Sequence, residues 1–316
     1  MTIRVGIVGT SGWTEFMYLP ALQDHPHGKV VALCGRNVDH ARKLADQWNV
    51  PLVFTDYNAM IDSGEIDTII VSTPNVSHYP ITMRALDKGL HVLCEKPLAM
   101  NYAEAREMAD TAAAKGVIHM TPFTYRFLPL ERYLKQQIDN GFIGKPYHLN
   151  LRYYSNYGRK QDYVWRLDAD VAGSGALGDI GSHFLYLAYW YYGKIKRVSC
   201  QLQYVWDRPA LNPEGKPYAK ADDAALILLD FENSAQGSIH LSLISHEPAA
   251  SGQSHHMEFH GSEGTLYAEM DFDKIQRVIG QSAWEPSLRE LPIPDELWQG
   301  ASQESVNETY KDVFRK

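Results

Sequence analysis

Cysteine, long apolar runs and positive charge are scarce in this 316-residue chain, and each scarcity excludes a class of protein. Only three cysteines are present and none forms a CxxC pair, which argues against a disulfide framework and against a structural zinc site. No apolar run approaches the ~20 residues that a membrane-spanning helix needs. The formal net charge of −8 disfavours general binding to nucleic acid or to an anionic membrane.

A signal peptide also has no room at the start of the sequence. The strand-like run Ile3–Val8 begins almost at the first residue and leaves no space for a basic and an apolar region. Together with the low cysteine content, this predicts a cytoplasmic, reducing compartment. The length exceeds that of a usual single domain, so two domains are expected.

The first part of the chain alternates short β-branched runs with amphipathic helical stretches. The predicted strands are Ile3–Val8, Val30–Cys34, Leu52–Phe54, Thr68–Ser72, His91–Cys94 and Val117–Met120. The predicted helices between them are Val38–Trp48, Ile81–Lys88 and Ala103–Lys115. Six strands that alternate with helices predict an α/β fold, with a doubly wound parallel sheet in a Rossmann domain over residues 1–122.

The pattern changes after about Pro122. A helix is predicted over Leu128–Asn140, and strands over Tyr147–Tyr154, Ile195–Trp206, Ala224–Phe231, Ser234–Leu243 and His255–His260. Consecutive strands with tight turns predict an α+β domain over residues 123–316, with a large, open, mainly antiparallel sheet. An open sheet has to cover one face, which favours a homodimer or homotetramer. Residues 303–316 show only a weak helical pattern, which suggests that part of the natural C-terminus is absent.

A turn of small residues follows the first strand and precedes a helical segment. It consists of Gly9, Thr10, Ser11, Gly12 and Trp13. Such a turn lets the backbone approach a pyrophosphate, and the helix N-terminus supplies free N–H groups. The sequence departs from the pattern G-x-G-x-x-G, because Ser11 and Thr14 occupy the second and third glycine positions. A tight turn without a ligand is the alternative, but the position after the first of six strands favours a dinucleotide.

The end of the second strand bears on which nicotinamide cofactor is used. NAD-binding proteins commonly carry an acidic side chain here that accepts from the ribose hydroxyls. This chain has Arg36 and Asn37 instead, with no carboxylate before Asp39. An arginine pairs well with a 2′-phosphate, so NADP is predicted as the preferred cofactor, with NAD as the second choice. The alternative is that Arg36 is only a solvated turn residue.

Three further segments, together with part of the first predicted helical stretch, carry a resemblance to a known family. Ser72, Thr73, Pro74, Asn75 and His78 follow the fourth strand, and Glu95, Lys96 and Pro97 follow the fifth. The glycine-rich segment from Gly173 to His183 lies in the second domain and contains Asp179. With Met17–Leu22, these segments resemble the glucose-fructose oxidoreductase, inositol dehydrogenase and MocA family from residue 3 to about residue 245.

The chemistry of these residues suits the oxidation of an alcohol. Lys96 and Asn75 follow parallel strands and should face the crevice where open α/β sheets bind ligands. His183 is the candidate general base, because imidazole titrates near neutrality. Lys96 would stabilise developing alkoxide charge, and Asp179 would orient the substrate hydroxyl or the lysine. The resemblance implies the same three roles and a cis peptide bond before Pro97.

Other residues are weaker candidates for binding the substrate. Tyr186 stands where many members of that family carry an aspartate, and it is either a wall of the substrate site or packing. Arg166 and Tyr154 are candidates for contacting a polyol, with a solvated loop as the alternative. Several histidines cluster late in the sequence, but no ligand set falls at a usual metal-binding spacing, so no metal is predicted.

The combined prediction is an NADP-preferring or NAD-dependent dehydrogenase or reductase. Its partner would be a small-molecule substrate, a sugar, a polyol or a related hydroxy or carbonyl compound. The same residues allow a non-sugar substrate such as a dihydrodiol or an aromatic carbonyl. A dinucleotide-binding sensor or repressor without catalytic activity is the third hypothesis, which the presence of Lys96, Asp179 and His183 disfavours.

Overall fold

The computed structural model describes residues 2–247, 252–272 and 276–315. Two compact units make up the chain. The first consists of residues 2–122 with 171–173 and 314–315, and the second consists of the described parts of 123–170 and 174–313. A six-stranded parallel sheet in the first unit and an eight-stranded, mainly antiparallel sheet in the second confirm the predicted fold class.

The strands of the first unit are β1 (Ile3–Val8), β2 (Gly28–Cys34), β3 (Leu52–Phe54), β4 (Thr68–Val71), β5 (His91–Cys94) and β6 (His119–Met120). Its helices are α1, in which the π-turn Thr14–Tyr18 continues into Leu19–Leu22, then α2 (Val38–Gln47), α3 (Tyr57–Asp62), α4 (His78–Asp87) and α5 (Tyr102–Lys115). The strand order is β3-β2-β1-β4-β5-β6. It reverses between β1 and β4, and parallel sheets bind ligands beyond the carboxyl ends of the strands at such a point.

The strands of the second unit are β7 (Pro146–Ser155), β8 (Ile195–Gln203), β9 (Ala224–Phe231), β10 (Gln236–Ser242), β11 (Gln253–Gly261), β12 (Gly264–Asp271), β13 (Arg277–Ser282) and β14 (Arg289–Glu290). The remaining helices along the chain are α6 (Pro129–Asp139), α7 (Ala169–Ala172), α8 (Ser182–Tyr192), α9 (Asp295–Trp298) and α10 (Val306–Arg315). The sheet order is β14-β13-β12-β11-β7-β10-β9-β8, and β7 pairs with β10 in parallel.

The second sheet has one buried face and one open face. Leu149, Leu151 and Tyr153 of β7 point into a core that includes Phe184 of α8. The intervening Asn150 and Arg152 point to the open face, because side chains alternate along a strand. This fixes which side chains can lie near α8 and which cannot.

Three features of the second unit differ from the sequence prediction. Strands β12 and β13 were not predicted, and neither was the parallel pairing of β7 with β10. Near the end of the chain, where the sequence shows only a weak helical pattern, α10 is a regular helix whose Val306 is buried. In the ranges that the structure describes, no helix combines the length and the apolar character needed to cross a bilayer.

Candidate functional site

The glycine turn after β1 is held tightly between two neighbouring strands. Gly9 has φ +110°, and a Cβ atom there would lie 2.0 Å from the carbonyl oxygen of Ser72. The N–H of Gly9 donates to the carbonyl of Cys34, at 2.9 Å. Only glycine adopts this conformation without strain, so the first glycine of the turn is a structural requirement.

Thr14 accounts for the departure from the glycine-rich pattern. Its side chain is fully buried, and its hydroxyl donates to the carbonyl oxygen of Gly9 at 2.7 Å. Ser11 and Gly12 are exposed, and a helical segment starts at Gly12. The first N–H groups of a helix have no partner within it, so the exposed turn provides donors for an anion.

At the end of β2, Asn37 caps α2. Its Oδ1 accepts from the N–H of His40 at 3.0 Å, and His40 Nε2 lies 2.9 Å from the carbonyl oxygen of Thr10. The cap and the His40 contact join α2 to the glycine turn. Arg36 next to them is exposed. The Asn37 side chain is therefore engaged in the helix cap, and the adjacent Arg36 is an exposed cationic side chain at the end of β2.

The segment after β4 is fixed by its own polar groups. The N–H of Ser72 donates to the Val8 carbonyl at 2.8 Å, which places this segment beside the glycine turn. Ser77 donates to the Pro74 carbonyl at 2.7 Å. Asn75 is buried, and its amide donates to the carbonyl of Ala172 at 2.8 Å. The Asn75 side chain thus holds a neighbouring piece of the first unit.

His78 joins the loops after β4 and β5. It is fully buried, and its two ring nitrogens lie 2.9 Å from the carbonyl oxygens of Thr73 and Pro97. Burial lowers the pKa of His78, and hydrogen bonds to these two carbonyls act in the opposite direction. His78 thus supports both loops from within the core, and its predicted role as a cofactor contact stays a prediction.

The loop after β5 is built around the Glu95 carboxylate. Trp13 Nε1 and the Tyr18 hydroxyl donate to Oε1 at 2.8 and 2.6 Å, and the N–H of Lys96 donates to Oε2 at 3.0 Å. The Lys96–Pro97 peptide is cis, as the resemblance implies. Tyr18 was not among the predicted site residues.

In the second unit, Asp179 lies within a π-turn, Leu177–Gly181, that leads into α8. The Tyr157 hydroxyl donates to one Asp179 oxygen, and Arg166 Nε lies 3.7 Å from the other. The Asp179 side chain is 16% exposed. Burial first, and then the nearby Asp179 charge, raise the pKa of Tyr157, so this phenol is a donor over the working pH range.

The start of this segment has no room for a side chain. A Cβ atom on Gly175 would lie 1.9 Å from the Asp222 carbonyl oxygen. The Asp222 carboxylate accepts from the N–H groups of Gly175 and Leu177, at 2.7 and 2.8 Å. The glycines of the motif thus let the chain pass against Asp222, which sets the start of the π-turn that carries Asp179.

His183 lies in an aromatic environment at the start of α8. Its ring centroid is 4.4 Å from that of Tyr125 and 5.8 Å from that of Phe123, and the residue is 7% exposed. The Tyr125 hydroxyl lies 3.2 Å from that of Tyr153. Burial raises the pKa of Tyr125. His183 is therefore oriented by aromatic packing on a rigid helix.

Tyr186 follows on the same helix and packs against the same aromatic residue. Its ring stacks on Phe123 with centroids 4.6 Å apart and planes 8° apart. Arg126 donates to the Tyr186 hydroxyl, and its guanidinium also lies 5.3 Å from the Trp190 ring centroid. Tyr191, further along the same helix, is buried in the core.

The two weaker substrate candidates have different positions. Arg166 lies beside Asp179 and over the Trp165 ring, at 4.4 Å. Tyr154 belongs to the open face of the second sheet, where its hydroxyl lies 2.8 Å from His240 Nδ1. The neighbouring Tyr153 points to the α8 side, so strand alternation places Tyr154 on the face away from α8, and its contact with a substrate stays a prediction. In the part of the chain that the structure describes, no group of three metal-ligating side chains is present.

Comparison with family models assigns both parts of the chain. The model of an oxidoreductase family with an NAD-binding Rossmann fold, GFO_IDH_MocA, matches residues 3–123. The model of the GFO/IDH/MocA C-terminal domain matches residues 132–267. The two matches include the glycine turn, the loops after β4 and β5 and the Asp179–His183 segment.

Curated relatives include enzymes with sugar substrates in their names. The chain is 29% identical to levoglucosan dehydrogenase of Pseudarthrobacter phenanthrenivorans over 270 residues, which are 79% of this chain and 66% of that protein. It is 33% identical to D-glucoside 3-dehydrogenase of Escherichia coli over 183 residues, which are 58% of this chain and 52% of that protein. The chain thus spans two thirds or less of the length of these relatives.

Solved structures with the same fold extend over the whole chain. An oxidoreductase domain protein from Kribbella flavida matches with a TM-score of 0.84 and 30% identity, covering 100% of this chain and 88% of that one. A levoglucosan dehydrogenase in complex with NADH matches with a TM-score of 0.86 and 24% identity, covering 100% of this chain and 89% of that one. At 24% identity, this second match shows the fold alone.

Proposed function

Because the chain belongs to the GFO/IDH/MocA family of oxidoreductases with an NAD-binding Rossmann fold, we propose that it transfers a hydride between a nicotinamide cofactor and a hydroxyl-bearing carbon of a sugar or polyol. One observation carries the proposal. The first unit has a glycine turn without room for a side chain at the carboxyl end of β1. At the carboxyl ends of β4 and β5 it has two loops, which the buried His78 joins. The sugar names of the relatives support the substrate class.

The residues of the first unit fit a dinucleotide. The exposed turn at Ser11 and Gly12 would hold the pyrophosphate on the N-terminus of α1, and the loops that contain Ser72 to Asn75 and Glu95 to Pro97 would hold the nicotinamide half. When bound, the cofactor supplies the hydride chemistry. Preference for NADP is proposed from Arg36, an exposed cation at the end of β2 with no carboxylate before Asp39.

The proton chemistry is proposed for three side chains. His183 accepts the proton of the substrate hydroxyl during oxidation and returns it during reduction. Lys96 donates to the reacting oxygen and stabilises its developing negative charge. Asp179, held by Tyr157 and Arg166, orients the hydroxyl or the lysine. Lys96 belongs to the first unit, and Asp179 and His183 belong to the second.

Cofactor preference is tested by equilibrium binding. Dissociation constants for NADPH and NADH are measured by the quenching of tryptophan fluorescence. NADPH should bind more tightly, and Arg36→Ala should weaken NADPH about tenfold or more with little change for NADH, since a bidentate phosphate contact is lost. Arg42→Ala, an exposed arginine on α2, is the matched control. Equal affinities for the two cofactors would remove the preference.

Catalysis is tested with a panel of aldoses, inositols, anhydrosugars and aromatic diols. Absorbance change of the nicotinamide identifies substrates, and Lys96→Ala should lower kcat about a thousandfold while the NADPH dissociation constant stays within about threefold. Near-normal turnover would remove Lys96 from the mechanism. Turnover of aromatic diols alone would favour the non-sugar substrate, and tight cofactor binding without any turnover would favour a sensor.

A homo-oligomer formed through the open face of the second sheet is also proposed. Leu226 and Leu228 are 42% and 54% exposed on this face, next to a groove of about 410 Å³ that Asn150 and Ser238 line. Leu228→Asp should lower the mass measured by light scattering if a second copy covers the face.

A cytoplasmic location is proposed as well, since the exposed thiol of Cys200 is free.

A further inference from the structure

The Glu95 carboxylate is the meeting point of a small network in the first unit. Its Oε1 atom accepts from the indole of Trp13 and from the hydroxyl of Tyr18, and its Oε2 atom accepts from the backbone N–H of Lys96. Both side-chain donors come from the start of α1. One carboxylate thus connects the first helix to the backbone of the lysine that follows it.

The π-turn in α1 makes this convergence possible. Trp13 and Tyr18 are five residues apart, and at 3.6 residues per turn that spacing puts them roughly 140° apart around an α-helix. Here the N–H of Leu19 donates to the carbonyl of Thr14, five residues earlier, so each turn contains one more residue. The wider turn brings two residues with a spacing of five to the same side. Both donors then reach one Glu95 oxygen.

A third aromatic side chain supports the two donors. The ring of Phe314 packs edge-on against Trp13 and Tyr18, with centroids 6.1 and 5.2 Å away. Tyr18 is 3% exposed and Trp13 is 37% exposed. Edge-to-face packing fixes the orientation of the rings it joins. Phe314 therefore limits the rotation of both donors.

We propose that Trp13 and Tyr18 are positioning residues that act through Glu95 on Lys96. They hold the carboxylate, and the carboxylate holds the N–H of Lys96, so the loop after β5 is ordered before a cofactor arrives. This role rests on the proposed function, because a fixed Lys96 matters for catalysis only if that lysine acts on the reacting oxygen. Ordering in advance lowers the entropic cost of binding and keeps a catalytic group in productive geometry.

The first test removes one hydroxyl. Tyr18→Phe keeps the buried ring and deletes one donor to Glu95. The Lys96 amide should exchange its hydrogen several times faster, while amides within β5 stay unchanged. The dissociation constant of NADPH in the binary complex should rise about threefold to tenfold, and kcat should fall about tenfold with an unchanged substrate KM. Unchanged exchange at Lys96 and unchanged cofactor affinity would overturn the proposal.

Tyr79→Phe is the matched control in the same unit. Its hydroxyl donates to the carboxylate of Glu107 at 2.7 Å, so the variant also loses one tyrosine-to-glutamate hydrogen bond. Tyr79 and Glu107 lie on α4 and α5, outside the loops after β4 and β5, so neither cofactor affinity nor Lys96 exchange should change. If NADPH affinity decreases equally in Tyr18→Phe and Tyr79→Phe, the effect of Tyr18→Phe reflects a loss of stability and not a change in the position of Lys96.

A double-mutant cycle shows whether Tyr18 acts through Glu95. In a Glu95→Ala background, Tyr18→Phe should cause no further loss of NADPH affinity, because the acceptor is gone. Additive losses of NADPH affinity would overturn the proposed route through Glu95.

The outcomes of these tests also separate this inference from the proposed function. If no substrate is found, amide exchange and NADPH binding still decide the role of Tyr18. If turnover is normal in Tyr18→Phe, the function stands and the positioning role falls.

Discussion

In the first unit the glycine turn of the candidate cofactor site is held mainly by backbone atoms, whereas in the second unit the candidate catalytic Asp179 is held by other side chains. The glycine turn is bound by the Cys34 carbonyl and closed against the Ser72 carbonyl, and His78 joins two loops through their carbonyl groups. Asp179, in contrast, depends on Tyr157 and Arg166. A site built from backbone tolerates little change in geometry, while a site built from side chains can change its specificity by single substitutions.

This difference fits a division of labour. A dinucleotide has the same phosphates in every reaction, so the turn that receives it needs one fixed shape. Substrates vary, and the side chains that surround a reacting group set the specificity among them. The comparison therefore predicts that substitutions in the glycine turn damage cofactor binding, and that substitutions around Asp179 damage the chemistry more than cofactor binding.

The largest effect on cofactor affinity is expected for Gly9→Ala. The new Cβ would lie 2.0 Å from the Ser72 carbonyl oxygen at φ +110°, so the turn has to move away from β4. A displacement of this kind at a binding turn costs about a hundredfold or more in affinity. Titration with NADPH measures it, and urea unfolding shows whether the variant keeps its stability.

Gly28→Ala, at the start of β2 and outside the turn, is the control for this prediction. A Cβ at Gly28 would come no nearer than 3.5 Å to another side chain, at His25 Nδ1, and φ there is not positive. We expect NADPH affinity within about fivefold of the parent, because no backbone has to move. If both alanine variants bind NADPH normally, the turn does not hold the cofactor, and the backbone half of the comparison fails.

Sequence patterns located the first unit better than the second. The bounds predicted for β1, β3 and β5 agree with the structure, because each strand is a short apolar run beside its own helix. Strand β12 was missed, although its Leu266 and Met270 are buried with the alternation of a strand. The parallel pairing of β7 with β10 joins residues about 90 positions apart in the sequence, and a local sequence pattern cannot predict a pairing over that distance.

The same limit applies to the candidate site. Motifs located Lys96, Asp179 and His183 as candidates, since each lies in a recognisable segment. Tyr157 was missed as a partner of Asp179, because the two are separated by a turn and a helix, and nothing in the spacing connects them. Tyr154 was predicted as a substrate contact, but the sequence could not show which face of its strand it occupies, because strand pairing and packing decide which residues face α8.

Buried titratable groups give a second contrast between the units, and Glu131 gives the next prediction. Both ring nitrogens of His78 have carbonyl partners, whereas neither oxygen of the fully buried Glu131 has a hydrogen-bond partner among the described residues. Burial raises the pKa of Glu131 from 4.5 to about 8. The folded state therefore keeps a proton that the unfolded state releases, and stability is lost as pH rises from 4.5 to about 8.

Glu131→Gln should remove this dependence. Between pH 6.5 and 8 the parent should lose about 1.4 kcal/mol of unfolding free energy per pH unit relative to the variant, or about 2 kcal/mol in all. The buried His255, whose pKa burial lowers to about 3, titrates in the same way in the parent and in the variant, so its contribution cancels in this difference. Urea unfolding at several pH values measures the difference. The exposed Glu107→Gln is the control, and parallel curves for parent and Glu131→Gln would show that Glu131 is ionised in the fold.

The smallest effect is expected for Tyr157→Phe, and it tests the side-chain half of the comparison. The variant keeps the ring and removes the hydroxyl that donates to Asp179. Loss of one hydrogen bond to a carboxylate should lower kcat about tenfold and leave NADPH affinity unchanged. Tyr163→Phe is matched to it, since that hydroxyl donates to the carboxylate of Asp168 at 2.8 Å in the same unit. If both variants lose kcat equally, the effect comes from the rigidity of the unit. If only Tyr157→Phe loses kcat, Asp179 depends on a side chain that lies outside every recognised motif. Substitutions at such neighbouring side chains can change substrate specificity while the cofactor turn stays the same.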